Sequence, residues 1–213
     1  MKIYDISQEV FGCSVYPGDP SPERRVLLKK SEGAVCNLTA IQMCAHNGTH
    51  VDAPYHFLDE GKKIDEVDLD KWVGYSYVAK HEGLITEADA VRILADAKRA
   101  GKTYHTEKEA GCGEADEIDA FRRILIKGRA VLTEEAAKVF AAASIFLFGN
   151  ESQTVGPEDA PMAVHLILLG ADITLLEGIR LAQVDEGVYL LNAAPINLGG
   201  ADGAPCRAIL ISF

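Results

Sequence analysis

Nowhere does the 213-residue chain string together 18 apolar residues, and its start, Met1-Lys2-Ile3-Tyr4-Asp5-Ile6-Ser7, lacks the apolar run of a secretion signal. Neither a membrane span nor export is expected, which leaves a cytosolic protein. Positive charge is scarce: 21 Lys and Arg face 32 Asp and Glu, giving a net charge of −11 and a pI near 5.0. With no basic cluster to offset that field, nucleic acid and anionic membrane are excluded as partners. A small-molecule substrate remains open, because the local charge of a metal can outweigh the global field. Five cysteines, Cys13, Cys36, Cys44, Cys112 and Cys206, are scattered and odd in number and form no CxxC pair. They read as small buried thiols in a reducing compartment. Tandem repeats and low-complexity tracts are absent, and the length suits one domain over residues 1–213.

Histidine is also sparse, at six residues, yet three of them fall within eleven positions: His46-Asn47-Gly48-Thr49-His50-Val51-Asp52-Ala53-Pro54-Tyr55-His56. Neutral imidazoles and a carboxylate are ligands for a borderline divalent cation such as Zn²⁺ and also serve Mn²⁺. The stretch therefore reads as a metal site. His46 and His50 have the i, i+4 spacing of a helical zinc pair, but Gly48 between them and Pro54 soon after argue against a helix. Gly48 gives access to torsions closed to other residues, and Pro54 fixes its own φ and restrains Ala53. In a shaped, extended loop, His50 and Asp52 project to the same side.

Around this run the chain alternates between strand and helix patterns. Residues 2–5 read as a strand, and Tyr16-Pro17-Gly18-Asp19-Pro20-Ser21-Pro22 as a stiff loop. Strands are expected over 24–30 and 35–43, the second delivering the chain to His46. Residues 58–67 are polar and read as a solvated loop. A strand over 75–79 is followed by a helix capped by Thr86 and running to Gly101. The pattern is lost over 102–117, a stretch that holds His105 and Cys112 and reads as a connection or insertion. Strands over 123–127 and 144–148 flank a helix from Thr133 to Ala142. A helix starting at Pro157 carries His165, and a strand over 172–178 ends near Glu177. Taken alone, these two residues read as a core histidine and a strand-end acid. Strands over 188–193 and 207–211 close the chain. Successive strands first and helix–strand alternation later make a mixed α/β protein.

The histidine run matches HxGTHxDxPxH at every fixed position, and in this the chain resembles the metal-dependent cyclase/hydrolase family that includes bacterial kynurenine formamidase, isatin hydrolase and certain lactone hydrolases. Asp5-Ile6-Ser7, Tyr16-Pro17-Gly18-Asp19 and the closing Gly200-Ala201-Asp202-Gly203-Ala204-Pro205-Cys206-Arg207 resemble the same family. The resemblance implies a single α/β domain of the swivelling β/β/α type with a mixed sheet, assembled as a homodimer or larger homo-oligomer. It also implies that His46, His50 and Asp52 hold one metal, that Asp52 bridges to a second held by His165 and Glu177, and that His56 shuttles protons. The segment around Glu151 departs from the family pattern, and residues 97–119 have no counterpart in it.

The chemistry expected from such ligands is hydrolysis. A divalent ion held by imidazoles and carboxylates lowers the pKa of bound water from 15.7 to about 7, and a histidine then carries protons between water and leaving group. The resemblance points to an arylformamide substrate, N-formylkynurenine being the family's best-known example. A cyclic amide such as isatin, or a lactone, is the alternative within enzymes. Outside them stands a non-catalytic, metal-dependent small-ligand-binding protein. Tyr16, Phe57 and Trp72 are candidates for an aromatic pocket wall.

Overall fold

The computed structural model describes residues 1–108 and 119–213, the side chains of residues 105–108 excepted. In chain order the elements are β1 (Lys2–Asp5), β2 (Glu23–Leu28), β3 (Leu38–Gln42), β4 (His50–Asp52), β5 (Val73–Lys80), β6 (Gly83–Ile85), α1 (Glu87–Lys108), β7 (Arg123–Lys127), β8 (Ala130–Leu132), α2 (Glu134–Ala142), β9 (Leu147–Asn150), α3 (Met162–Gly170), β10 (Thr174–Glu177), β11 (Gly187–Asn192), β12 (Gly203–Pro205) and β13 (Ile209–Ser212). Nine strands form one mixed sheet in the order β1-β13-β11-β5-β7-β9-β10-β4-β12. Its centre, β5 to β10, is parallel, and both flanks are antiparallel. The mixed α/β fold expected from the sequence is the one observed.

The central strands are buried on both faces, so they read as continuous apolar runs and not as alternation. Ile124, Leu125 and Ile126 of β7 are all fully buried. On one face, Ile124 and Ile126 join Phe148, Leu175 and the helix residues Ile93, Phe140 and Leu168. On the other, Leu125 joins Ile6, Trp72, Leu176, Leu191 and Leu210. Trp72 is thus core and lines no pocket around the histidine run. The two chain ends meet: β1 pairs with β13, and Asp5 accepts from Arg207 Nε at 2.9 Å, which drops the Asp5 carboxyl to about 2.

Several boundaries move for physical reasons. Thr86 caps α1, with Asp89 N–H donating to its Oγ1 at 3.3 Å, but the helix continues past Gly101 to Lys108. A single glycine costs a helix only about 1 kcal/mol, and it does not end this one. The rest of the expected connection, Cys112 included, lies outside the described residues. The third helix starts at Met162, not at Pro157, because Pro161 has no N–H and restrains the residue before it. Ser144 takes a positive φ of 51° and closes a turn, so the strand expected from 144 begins at Leu147. Within the polar stretch 58–67, Ile64 and Val67 are buried. Strands β2 and β3 pair only with each other and leave Val26, Leu28, Leu38 and Ile41 exposed. No helix among the described residues is long and apolar enough to cross a membrane.

Candidate metal centre

The histidine run folds as the sequence expects of its glycine and proline. Gly48 sits at φ +70°, and Pro54 opens a single 3₁₀ turn, Pro54–His56, after an extended Ala53. Thr49 anchors the bend: its Oγ1 donates to the Gly178 carbonyl at 2.8 Å and accepts from Gln8 N–H at 2.9 Å. Asn47 accepts from Cys44 N–H at 2.9 Å and donates to the Pro20 carbonyl at 3.2 Å, tying the run to the proline-rich loop. The part holding His50 and Asp52 goes beyond an extended loop and becomes β4, whose three residues are buried.

Strand register explains how distant residues arrive. β4 lies between β10 and β12, setting Glu177 opposite His50 and Gly203 opposite Asp52. The crossover from β9 to β10 supplies α3, whose buried His165 sits above the same strands. His46, His50, Asp52, His56, His165 and Glu177 are therefore all brought together.

Two triads share Asp52: His46, Asp52 and His56, and His50, Asp52 and Glu177, each with ligand atoms within 4.8 Å of one another. His50 Nε2 is 3.4 Å from Asp52 Oδ1 and 3.5 Å from Glu177 Oε2. His165 Nε2 is 3.4 Å from Glu177 Oε1 and 3.8 Å from Asp52 Oδ2. The other nitrogen of each ring donates to a backbone carbonyl, His50 Nδ1 to Gly48 at 3.1 Å and His165 Nδ1 to Pro161 at 2.9 Å. Each ring so fixed turns Nε2 toward buried carboxylate oxygens, an arrangement that calls for a cation or proton between them. Backbone orientation of the far nitrogen is also how proteins hold imidazole ligands. The donor set, imidazole nitrogen with carboxylate oxygen, suits a divalent metal.

Electrostatics agree. Burial alone would lower the His50 pKa, but hydrogen bonds to Asp52 and Glu177 outweigh it and raise the ring to about 9. His46 goes to about 11 for the same reason, through Asp202 and Asp52 acting against burial. His165 is also raised, by Glu177 after its burial is offset. Asp52 falls well below the usual carboxylate range because His46 and His50 overcome its own burial. The site attracts positive charge from several sides.

His46, His50, His56, His165 and Glu177 border a cavity of about 420 Å³, which Tyr16, Phe57, Gln153 and Thr154 also line, while Asp52 is buried behind them. Phe57 leans on His165 with ring centroids 4.6 Å apart. Glu151 faces away, accepting from Gly128 N–H at 2.6 Å and Leu181 N–H at 2.8 Å. The departure from the family pattern at that position thus lies beside the cavity, whereas Gln153 and Thr154 of the same loop enter it.

Residues 4–157 match the family model for cyclases. The chain belongs to the cyclase family. Kynurenine formamidase from Bacillus anthracis is 31% identical, aligned over 98% of this cyclase-family chain and 97% of its own. A solved structure described as a potential metal-dependent hydrolase with cyclase activity superposes with a TM-score of 0.74 at 26% identity, covering 98% of this chain and 96% of that one. Isatin hydrolase A from Labrenzia aggregata, bound to benzyl benzoate, shares the fold, with a TM-score of 0.71 at 18% identity over 98% and 93% of the two chains. This cyclase-family member is an enzyme, a hydrolase.

One site residue was not given a role by the sequence. Asp202 Oδ2 lies 2.9 Å from His46 Nε2 and 3.0 Å from His56 Nδ1. Its signal was an aspartate within the glycine-rich closing segment, with nothing local to connect it to histidines some 150 positions earlier.

Proposed function

We propose that this hydrolase cleaves a small arylformamide, with N-formylkynurenine the leading substrate, at a divalent metal centre. The observation that carries the reading is the convergence of His50, His165 and Glu177 on one cavity that His56 also lines, with the buried Asp52 carboxylate 3.4 Å from His50 Nε2 and 3.8 Å from His165 Nε2. Full-length similarity to a kynurenine formamidase supports the substrate class. His46, His50, Asp52, His165 and Glu177 would hold one or two ions, Zn²⁺ first and Mn²⁺ second. Such an ion would act as a Lewis acid on the carbonyl and bring the pKa of water toward about 7.

The chain's own residues do the rest. His56 donates from Nδ1 to Asp202 and keeps Nε2 as a base. It takes a proton from the attacking water and returns it to the leaving aryl nitrogen, so that the C–N bond breaks to formate and an arylamine. The carboxylates Asp52 and Glu177 are buried and would hold the ion, leaving the proton transfer to His56.

The enzyme works as one domain over residues 1–213, in a cytosolic setting and as a homodimer or larger assembly. The exposed apolar side chains of the β2–β3 ribbon support self-association, since an isolated two-stranded ribbon is marginal in water. The test is a panel of N-formylkynurenine, other formanilides, isatin and a lactone, assayed with Zn²⁺ and Mn²⁺ in parallel. Turnover of the formamides that chelation abolishes is expected. Preference for isatin or the lactone would replace the arylformamide reading with a ring-opening one.

A further inference from the structure

We propose that Asp202 is a positioning residue that fixes the ring tautomers of a metal ligand and of the proton carrier together, coupling the two. The inference rests on the roles assigned above to His46 and His56. A carboxylate only accepts hydrogen bonds, so both rings must donate to it: His46 through Nε2–H and His56 through Nδ1–H, at 2.9 and 3.0 Å to the same oxygen. The consequence is read at the opposite nitrogens. His46 Nδ1 faces a second carboxylate oxygen, Asp52 Oδ1 at 2.9 Å, and donates to it here; an ion bound between the two would displace that proton, and the one left on Nε2 is the proton Asp202 holds in place. His56 is left to present Nε2 as a lone pair, where a base is wanted. Without the acceptor, each ring is free to hold its proton on the working nitrogen.

The two rings lie stacked, with centroids 4.0 Å apart and planes 28° from parallel. One oxygen can therefore serve both. Asp202 itself is held firmly: its carbonyl accepts from Ala53 N–H at 2.9 Å, the neighbouring Ala201 carbonyl accepts from Ile64 N–H at 2.9 Å, and Gly200 N–H donates to Asp65 Oδ1 at 2.9 Å. These bonds join the closing loop to the two segments that flank His56, so the carboxylate is preorganised from outside the histidine pair.

The test combines tautomer, metal and rate. In the metal-loaded wild type, ¹⁵N-histidine spectra should show His56 protonated at Nδ1 and His46 at Nε2. Asp202→Ala should lose that pattern and weaken both metal affinity and kcat by about 10–100-fold, the range for removing an outer carboxylate. In a His56→Ala background the same change should cost kcat no more than about 3-fold, because the two losses share one route, while metal affinity still falls through His46. Should Asp202→Ala fail to fold, Asp202→Leu, of similar size and with no acceptor, carries the same readouts. Unchanged tautomers, or fully additive losses in kcat, would overturn the proposal. The spectra and the metal titration need no substrate, so they stand even where the arylformamide reading fails.

Discussion

His50 carries the electrostatics of the centre at the scale of one residue: fully buried, it faces Asp52 and Glu177 and is raised from 6.5 to about 9. A group raised on folding stabilises fully below its unfolded pKa and loses that contribution as pH climbs through the folded one. Chelator-treated protein should therefore fall in Tm as pH rises from 6.5 to 9, and metal-saturated protein, where the ion replaces the proton, should fall less. Scanning calorimetry across that range checks it; a flat Tm in the chelated protein would contradict the assignment. His56 is the opposite kind of residue, partly exposed and placed for turnover. His56→Ala is expected to keep its metal by elemental analysis and to lose about 10²–10⁴ in kcat, the usual range for a general acid–base group. Unchanged turnover with full metal would sink its role as proton carrier.

Element geometry decides how close these side chains come, and β4 is the decisive element. Three residues long, it is pinned between β10 and β12, and its register alone sets Glu177 beside His50. Gly203 on β12 marks how tight that fit is: a Cβ there would stand 2.6 Å from the His46 ring and 2.8 Å from the Val51 carbonyl. Gly203→Ala should destabilise by about 1–3 kcal/mol, as overpacking does, and weaken metal binding by moving His46. Urea unfolding with and without metal separates the two effects, and a wild-type midpoint with wild-type affinity would refute the steric argument. The bend at Gly48, the proline turn at 54 and the caps at Thr86 and Thr133 were legible because they depend on local torsions and local hydrogen bonds. The start of α3 at Met162, later than the helical pattern from Pro157 implies, is set by Pro161, which acts as a stop inside that pattern. β12 and β4 were not legible as strands, since three residues hold too little pattern and are made strands only by their neighbours.

At the scale of the whole molecule, the centre joins side chains from three parts of the chain that are far apart in sequence: the run at 46–56, α3 and β10. A bound ion is then a cross-link of the folded state and stabilises it by mass action, by about 2.7 kcal/mol at a hundred times Kd. For a chain of this size that corresponds to roughly 5–11 °C in Tm. Thermal melts with and without chelator should show that gap, and coincident melts would argue that the ion does not bridge the elements. The sequence by itself determined the ligand-rich run, its shaped backbone, the α/β class and the family resemblance, because each rests on residue types at short spacing. Only the tertiary structure decided that His165 and Glu177 face Asp52, that Asp202 sits between His46 and His56, and that Trp72 belongs to the core. Those outcomes depend on strand order and register, and one residue of slip in β4 would turn His50 and Asp52 to the opposite face of the sheet.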